Sequence, residues 1–264
     1  MPDPTNPSNR PIFRVSGPPA MLKDEHPDQP IYEMSVENCR RLDELATTNF
    51  GIPSIVLMEN AAIGLCKHAQ EMLEAARSQI IIICTGPGNN AGDGFALARH
   101  LHTLGYSPTV VLATPADDIQ GDAKINLDII LKMKIEIIGA EDYLQSNPKA
   151  PGLIVDALFG TGLTRAISGV AEELVHHMNA CKKVGALILA VDVPSGLNAQ
   201  TGMPMGDAVI IADRTVTFAA IKDGYRSIDA QFYLGELHLA SIGVPTSLLE
   251  LLGTPLQQPQ DRPS

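Results

Sequence analysis

Two aspartates, Asp156 and Asp192, each stand at the end of an apolar run, over residues 152–156 and 186–191. A carboxylate in that position is partly buried and needs a partner. Asp192 leads into Val193-Pro194-Ser195-Gly196, and at that depth it can act as a general base or hold a ligand hydroxyl. Asp156 has neutral oxygens within reach on neighbouring loops, those of Asn90 and Ser195. One carboxylate with neutral oxygens is a hard, low-charge donor set that suits a monovalent cation better than zinc. A loop hydrogen bond without any ion accounts for Asp156 equally well. Lys222 follows the run Val216-Thr217-Phe218-Ala219-Ala220-Ile221. Its ammonium could protonate a leaving group, although the residue pattern alone favours a solvated lysine after a strand.

A third polar stretch follows a third apolar run. Ile80-Ile81-Ile82-Ile83-Cys84-Thr85 leads into Gly86-Pro87-Gly88-Asn89-Asn90-Ala91-Gly92-Asp93-Gly94. Strand, glycine-rich turn and helix is the arrangement that offers backbone N–H groups to an anion. The spacing Gly86-x-Gly88-x-x-x-Gly92 is not the GxGxxG fingerprint of dinucleotide-binding turns, and Ala113-Thr114 stands where a ribose-gripping acid is expected. An NAD-dependent dehydrogenase is therefore a weakened alternative. Asn89, Asn90 and Asp93 are more polar side chains than a structural turn requires, although one of them could simply cap the next helix. The histidines show no metal-ligand spacing, and no GxSxG nucleophile elbow is present.

The elements that must position these residues read as an α/β protein. Ser35 N-caps a first helix, Gly51-Ile52-Pro53-Ser54 breaks it, and a long apolar stripe from Met58 to Ala76 marks a second. Strands then alternate with helices: strands at 79–85, 108–113, 135–138, 152–156 and 186–191, and helices at about 93–104, 120–133, 141–146 and 168–181. Later strands are expected at 208–211, 214–219 and 235–240, with a short helix near 246–252. Such alternation implies a three-layer α/β/α Rossmann-like fold, with a mostly parallel central sheet preceded by two helices. In a 3-2-1-4-5 strand order the first, fourth and fifth strands are neighbours. Their polar loops, 86–94, 156–165 and 192–196, then meet in one crevice at the switch point. Residues 1–30 read as a flexible arm, 31–253 as one domain and 254–264 as a polar tail.

Composition excludes some partners. The net charge of −11 argues against a nucleic-acid backbone. The four cysteines are scattered without a CxxC pair, which fits reduced thiols in a cytoplasmic protein. No secretory h-region or membrane-length apolar run occurs, so no membrane partner is expected.

Together these stretches resemble the YjeF N-terminal family, the NAD(P)H-hydrate epimerases. The resemblance is carried by Gly86 to Gly94, by Val155-Asp156-Ala157-Leu158-Phe159-Gly160-Thr161-Gly162 and by Val191-Asp192-Val193-Pro194-Ser195-Gly196. Leu57-Met58-Glu59-Asn60-Ala61 upstream and Thr217-Phe218-Ala219-Ala220-Ile221-Lys222-Asp223-Gly224 downstream extend it. It implies interconversion of the R and S epimers of hydrated NADH and NADPH (NADHX and NADPHX), so that a separate NAD(P)H-hydrate dehydratase can restore the cofactor. It further implies substrate contacts at Asn89, Asn90, Ala91, Gly92 and Asp93, at Gly160, Thr161, Gly162, Leu163, Thr164, Arg165 and Ala166, and at Asp192. A potassium ion, one per subunit, is implied at Asn90, Asp156 and Ser195. Asp192 and Lys222 match the acid–base pair, and a homodimer is expected. The family also includes non-catalytic binding or dimerisation modules, but loss of Asp156, Asp192 or Lys222 would have favoured that alternative. Ala91 departs from the family's usual glycine, and its methyl would narrow the approach to substrate if the position needed a positive φ.

Overall fold

The computed structural model describes residues 22–23, 30–146 and 148–256. A short strand β1 (Leu22–Lys23) and a strand β2 (Tyr32–Met34) precede helix α1 (Val36–Phe50). Ser35 caps α1 by accepting from the Asn38 amide at 3.1 Å, and Gly51 ends it in the left-handed region at φ +68°. Helix α2 (Ser54–Ala75) starts after Pro53 and buries one stripe that includes Leu57, Ala61, Leu65, Ala69 and Met72.

The repeating unit follows: β3 (Ile81–Thr85), α3 (Asn89–Thr103), β4 (Pro108–Leu112), α4 (Gly121–Lys132), β5 (Glu136–Gly139), α5 (Ala140–Gln145), β6 (Leu153–Ala157), α6 (Val170–Lys183) and β7 (Leu187–Val191). The chain closes with β8 (Arg214–Phe218), β9 (Ile221–Lys222), α7 (Ile228–Leu234), β10 (Glu236–Ala240), α8 (Thr246–Leu252) and β11 (Thr254–Pro255).

Eight strands form one sheet in the order β1-β10-β8-β7-β6-β3-β4-β5, and every pairing is parallel. Within it, β5-β4-β3-β6-β7 is the expected 3-2-1-4-5 order. The pleat sorts each strand between two cores. Ile81 and Ile83 pack with α2, α3 and α4 on one face, and Ile82 and Cys84 pack with α6 on the other. Both faces are covered, which is why β3 and β6 are apolar almost throughout.

Four expectations change. Helix α3 begins at Asn89, not near 93, because Gly88 in extended conformation starts the helical turn and its carbonyl accepts from Ala91 N at 3.0 Å. Residues 208–211 are not a strand. Ile210 N donates to Ser195 O at 2.9 Å and Ile211 N to the Asn179 side chain at 3.0 Å, so no ladder forms. Two described residues of the expected arm, Leu22 and Lys23, pair with Leu237 and His238. Thr254 and Pro255 of the expected tail pair with Glu33 and Tyr32 in a second, three-stranded sheet ordered β11-β2-β9. Most of the arm, and the tail beyond 256, lie outside the described residues.

Candidate active site

Because β3, β6 and β7 are neighbours, the segments after them meet at the carboxyl edge of the sheet. The approach is close. A Cβ placed on Gly86 would lie 2.1 Å from the Leu158 carbonyl oxygen, so only glycine lets the two loops touch. A Cβ on Gly160 would lie 3.0 Å from Asn90 Oδ1. Between these loops and α1 opens a cleft of about 680 Å³.

Under the cleft, Asp156 is fully buried. Its Oδ1 accepts from Ser195 Oγ at 2.6 Å and from Leu158 N at 3.3 Å, and its Oδ2 from Ser195 N at 2.7 Å. Burial pushes the carboxyl up to about 6, against the pull of the Ser195 and Leu158 hydrogen bonds. The Phe159 carbonyl lies 3.2 Å from Ser195 Oγ, and Asn90 Oδ1 is turned toward the next residue, Gly160. Asn90 Nδ2 is buried with no hydrogen-bond partner among the described residues. A buried carboxylate, a hydroxyl, an amide and a carbonyl thus gather in one place, an oxygen-donor set that fits a monovalent cation. Among the described residues no group of three His, Cys, Asp or Glu side chains is placed to hold a metal ion.

The second cluster lies at the ends of β7 and β8. Asp192 Oδ1 accepts from Thr217 Oγ1 at 3.0 Å, from Phe218 N at 3.4 Å and from Lys222 Nζ. Tyr225, wholly buried, donates its hydroxyl to the Asp192 carbonyl. Burial alone would pull Lys222 down, but the Asp192 charge beside it prevails and the ammonium is held above its ordinary value. The backbone here is strained. Asp192 (φ +62°) and Ala219 (φ +61°) are two of the three non-glycine residues with positive φ among the described residues. Each is the centre of a three-residue turn, closed by Val193 N to Val191 O and by Ala220 N to Phe218 O, both 2.7 Å. Strain of this kind persists only where the surroundings over-determine it, and here it aims two adjacent strand ends at the cleft.

Most of the expected substrate residues line the cleft, namely Asn89, Asn90, Asp93, Asp192 and the whole of 160–165, together with the expected catalytic Lys222. Asp156 and Ser195 lie beneath its floor, not on its wall. Three expected contacts are displaced. Ala91 is fully buried in the core with Leu65 and Phe95. Its position is helical, so its methyl does not narrow the cleft. A Cβ on Gly92 would come within 3.1 Å of both Met58 and Ala123, so that glycine serves the packing of α2, α3 and α4. Ala166 lies against Gly206.

Helix α1 adds residues that the motifs did not reveal. Cys39, Arg40 and Asp43 line the cleft, and Arg40 Nη2 donates to the Thr161 carbonyl at 2.9 Å. The 39-to-43 spacing, one helical turn, was the available signal, but nothing local said which helix faced the loops. Asp43 is open to water on its outer side. Burial against the wall lifts its carboxyl to about 6, Lys222 opposes this and Asp192 adds to it. Asp93, enclosed more fully, is held well above the usual carboxylate range by burial and then by Asp192 and Asp43.

A parallel α/β sheet with a cleft at its switch point, walled by glycine-rich loops and backed by an aspartate–lysine pair, defines a Rossmann-like small-molecule site. The model of the family described as "YjeF-related protein N-terminus" matches residues 54–224, and the chain belongs to that family. It is 38% identical over 218 residues to an NAD(P)H-hydrate epimerase of Rhodopirellula baltica, covering 82% of this chain and 86% of that protein. An NAD(P)H-hydrate epimerase of Pirellula staleyi is 34% identical over 220 residues, covering 80% and 92%. A bifunctional NAD(P)H-hydrate repair enzyme of Moorella thermoacetica is 38% identical over 226 residues, and the match spans only 42% of that longer protein. The crystal structure of the yeast protein ynu0 shares the fold, with a TM-score of 0.68 at 20% identity over 86% of this chain and 96% of that one.

Proposed function

We propose that this protein interconverts the R and S epimers of hydrated NADH and NADPH in nicotinamide-cofactor repair, and so acts as an isomerase. The observation that carries the reading is the Asp192–Lys222 pair, held together at the wall of the cleft that also gathers the 86–94 and 160–165 loops. The relatives named NAD(P)H-hydrate epimerase, matched over most of their length, agree with it. The epimerised carbon carries a hydroxyl beside the ring nitrogen. Losing and regaining water, or opening and reclosing the ring, inverts that centre, and either route needs a proton donor and acceptor side by side. Asn89, Asn90 and Asp93 at the start of α3, with the 160–165 loop, hold the nucleotide. Arg40 and Arg165 supply positive charge for its phosphates.

Potassium fits the set at Asn90, Asp156 and Ser195. When bound it supplies a positive charge that neutralises Asp156 and ties the three loops together. A separate NAD(P)H-hydrate dehydratase would consume one epimer. The reading is supported by the relatives in which the repair enzyme is bifunctional.

The test is conversion of R to S hydrated NADH, followed by chromatography with and without potassium. Acceleration over the spontaneous rate is expected. A rate equal to the spontaneous one in both salts would reject the reading.

A further inference from the structure

The pairing of Asp192 with Lys222 leaves open which atom exchanges a proton with substrate, and a third side chain between them decides it. On β8 the alternation Arg214-Thr215-Val216-Thr217-Phe218 sends Val216 into the main core and Thr215 and Thr217 to the other face. Thr217 is fully buried. Its Oγ1 lies 2.7 Å from Lys222 Nζ and 3.0 Å from Asp192 Oδ1. Lysine can only donate, and a hydroxyl has one proton, so Thr217 accepts from Lys222 and gives its proton to Asp192.

That direction fixes the other two groups. The three donors of Lys222 Nζ go to Asp192 Oδ1, Thr217 Oγ1 and Phe218 O, the last at 3.2 Å. No N–H is left for a ligand. Asp192 Oδ1 is likewise filled, by Thr217, Phe218 N and Lys222. Its Oδ2 has no partner among the described residues. The Asp192 side chain keeps 15% of its surface exposed, against 3% for Lys222. The Tyr225 hydroxyl on the Asp192 carbonyl holds the backbone that carries this arrangement.

Resting on the epimerase reading, we propose that Thr217 is a positioning residue. Its hydroxyl adds to Asp192 in holding Lys222 as an ammonium and leaves Asp192 Oδ2 as the atom that exchanges a proton with substrate. In the ring-opening route the substrate O–H bond breaks as an Oδ2–H bond forms. The freed electron pair makes the carbonyl and expels the carbon–nitrogen pair onto the ring nitrogen and its conjugated carboxamide. Reclosure on either face returns the same proton from Oδ2, so nothing is consumed, and Lys222 stays charged throughout.

The other titratable groups facing this pair are Cys39 and Asp43 from α1, Asp93 from α3 and Tyr225. Of these, Tyr225 also meets the Thr217 side chain, so a Thr217 variant removes that contact too. Thr217→Val keeps shape and removes the hydroxyl. It is expected to lower kcat by about tenfold to a hundredfold with little change in KM, since each lost bond is to a charged group. The alkaline limb of the pH–kcat profile should move down, because losing an acceptor disfavours the Lys222 ammonium. Thr217→Ser should restore both the rate and the profile.

Nitrogen-15 NMR of Lys222 Nζ gives a second readout that needs no activity: its titration should move to lower pH in Thr217→Val, or in Thr217→Ala if the valine variant does not fold. Unchanged kcat, profile and lysine titration in a folded variant would overturn the proposal. If the wild type fails to epimerise, the functional reading falls, and the lysine titration still decides the role of Thr217.

Discussion

Lys222 is 2% exposed, and its surroundings reverse what the residue pattern favours. After a strand, a lysine with no visible partner reads as solvated. Here the chain doubles back through the turn at Ala219, so that Lys222 meets Asp192 and Thr217, 30 and 5 residues earlier. Asp192→Asn and Lys222→Ala should each slow epimerisation by about 10²-fold or more, in variants whose circular dichroism matches the wild type. Near-normal turnover in either would remove that residue from the mechanism. Asp156, Asp192 and the Asn89–Asp93 stretch were legible because carboxylates and amides at strand ends are conspicuous. Arg40 and Asp43 were not, because an exposed face of a helix looks the same whether it borders a cleft or bulk water.

At the scale of elements, the β3–α3 connection carries the most constraint. Gly86 N donates to Ala157 O at 3.3 Å, and the Leu158 carbonyl occupies the place of any side chain at 86. Gly86→Ala must therefore pry the β3 and β6 loops apart. It should cost about 3 kcal/mol, the upper end for an overpacked site, as read from urea unfolding. Gly162→Ala has nothing within 4 Å and should change stability by less than about 0.5 kcal/mol. Equal effects of the two would show that the loops are looser than their contact implies. The glycine-rich turn itself was plain in sequence. That the helix starts at Asn89, with Ala91 and Gly92 turned inward, was not, because glycines and asparagines signal a loop and a helix N-terminus alike.

The whole molecule sets the pH and ion dependence. Asp156 is an acid raised from 3.8 to about 6 by burial. The folded state binds its proton more tightly than the unfolded chain does. This contribution to stability is complete below about 4 and is lost as pH rises through about 6. The proposed cation on Asp156 would offset the loss and compete with the proton. Potassium should raise the melting temperature clearly at pH 8 and much less at pH 5. With a net charge of −11, any salt screens self-repulsion, so choline chloride at equal ionic strength is the control. Identical shifts in the two salts, or at the two pH values, would remove the cation from Asn90, Asp156 and Ser195. Among the described residues no helix is long and apolar enough to cross a membrane.

The sequence by itself determined the alternation of strands and helices, the parallel sheet and the three loops that meet at its edge. Those are products of local periodicity and of the few ways in which right-handed crossovers stack. It also marked Asp156, Asp192 and Ser195, since a polar residue at the end of an apolar strand must be held there by a partner or a ligand. Only the tertiary structure decided the small sheet of β2, β9 and β11, whose strands of two or three residues carry no period of their own. It alone turned 208–211 from an apolar run into a loop tied to Ser195 and Asn179, and brought α1 across to the loops as the far wall of the cleft. Above all it placed Thr217 between Asp192 and Lys222. The pairing of a buried charge with its partners is settled by contacts between residues far apart in the chain, and local pattern does not encode those contacts.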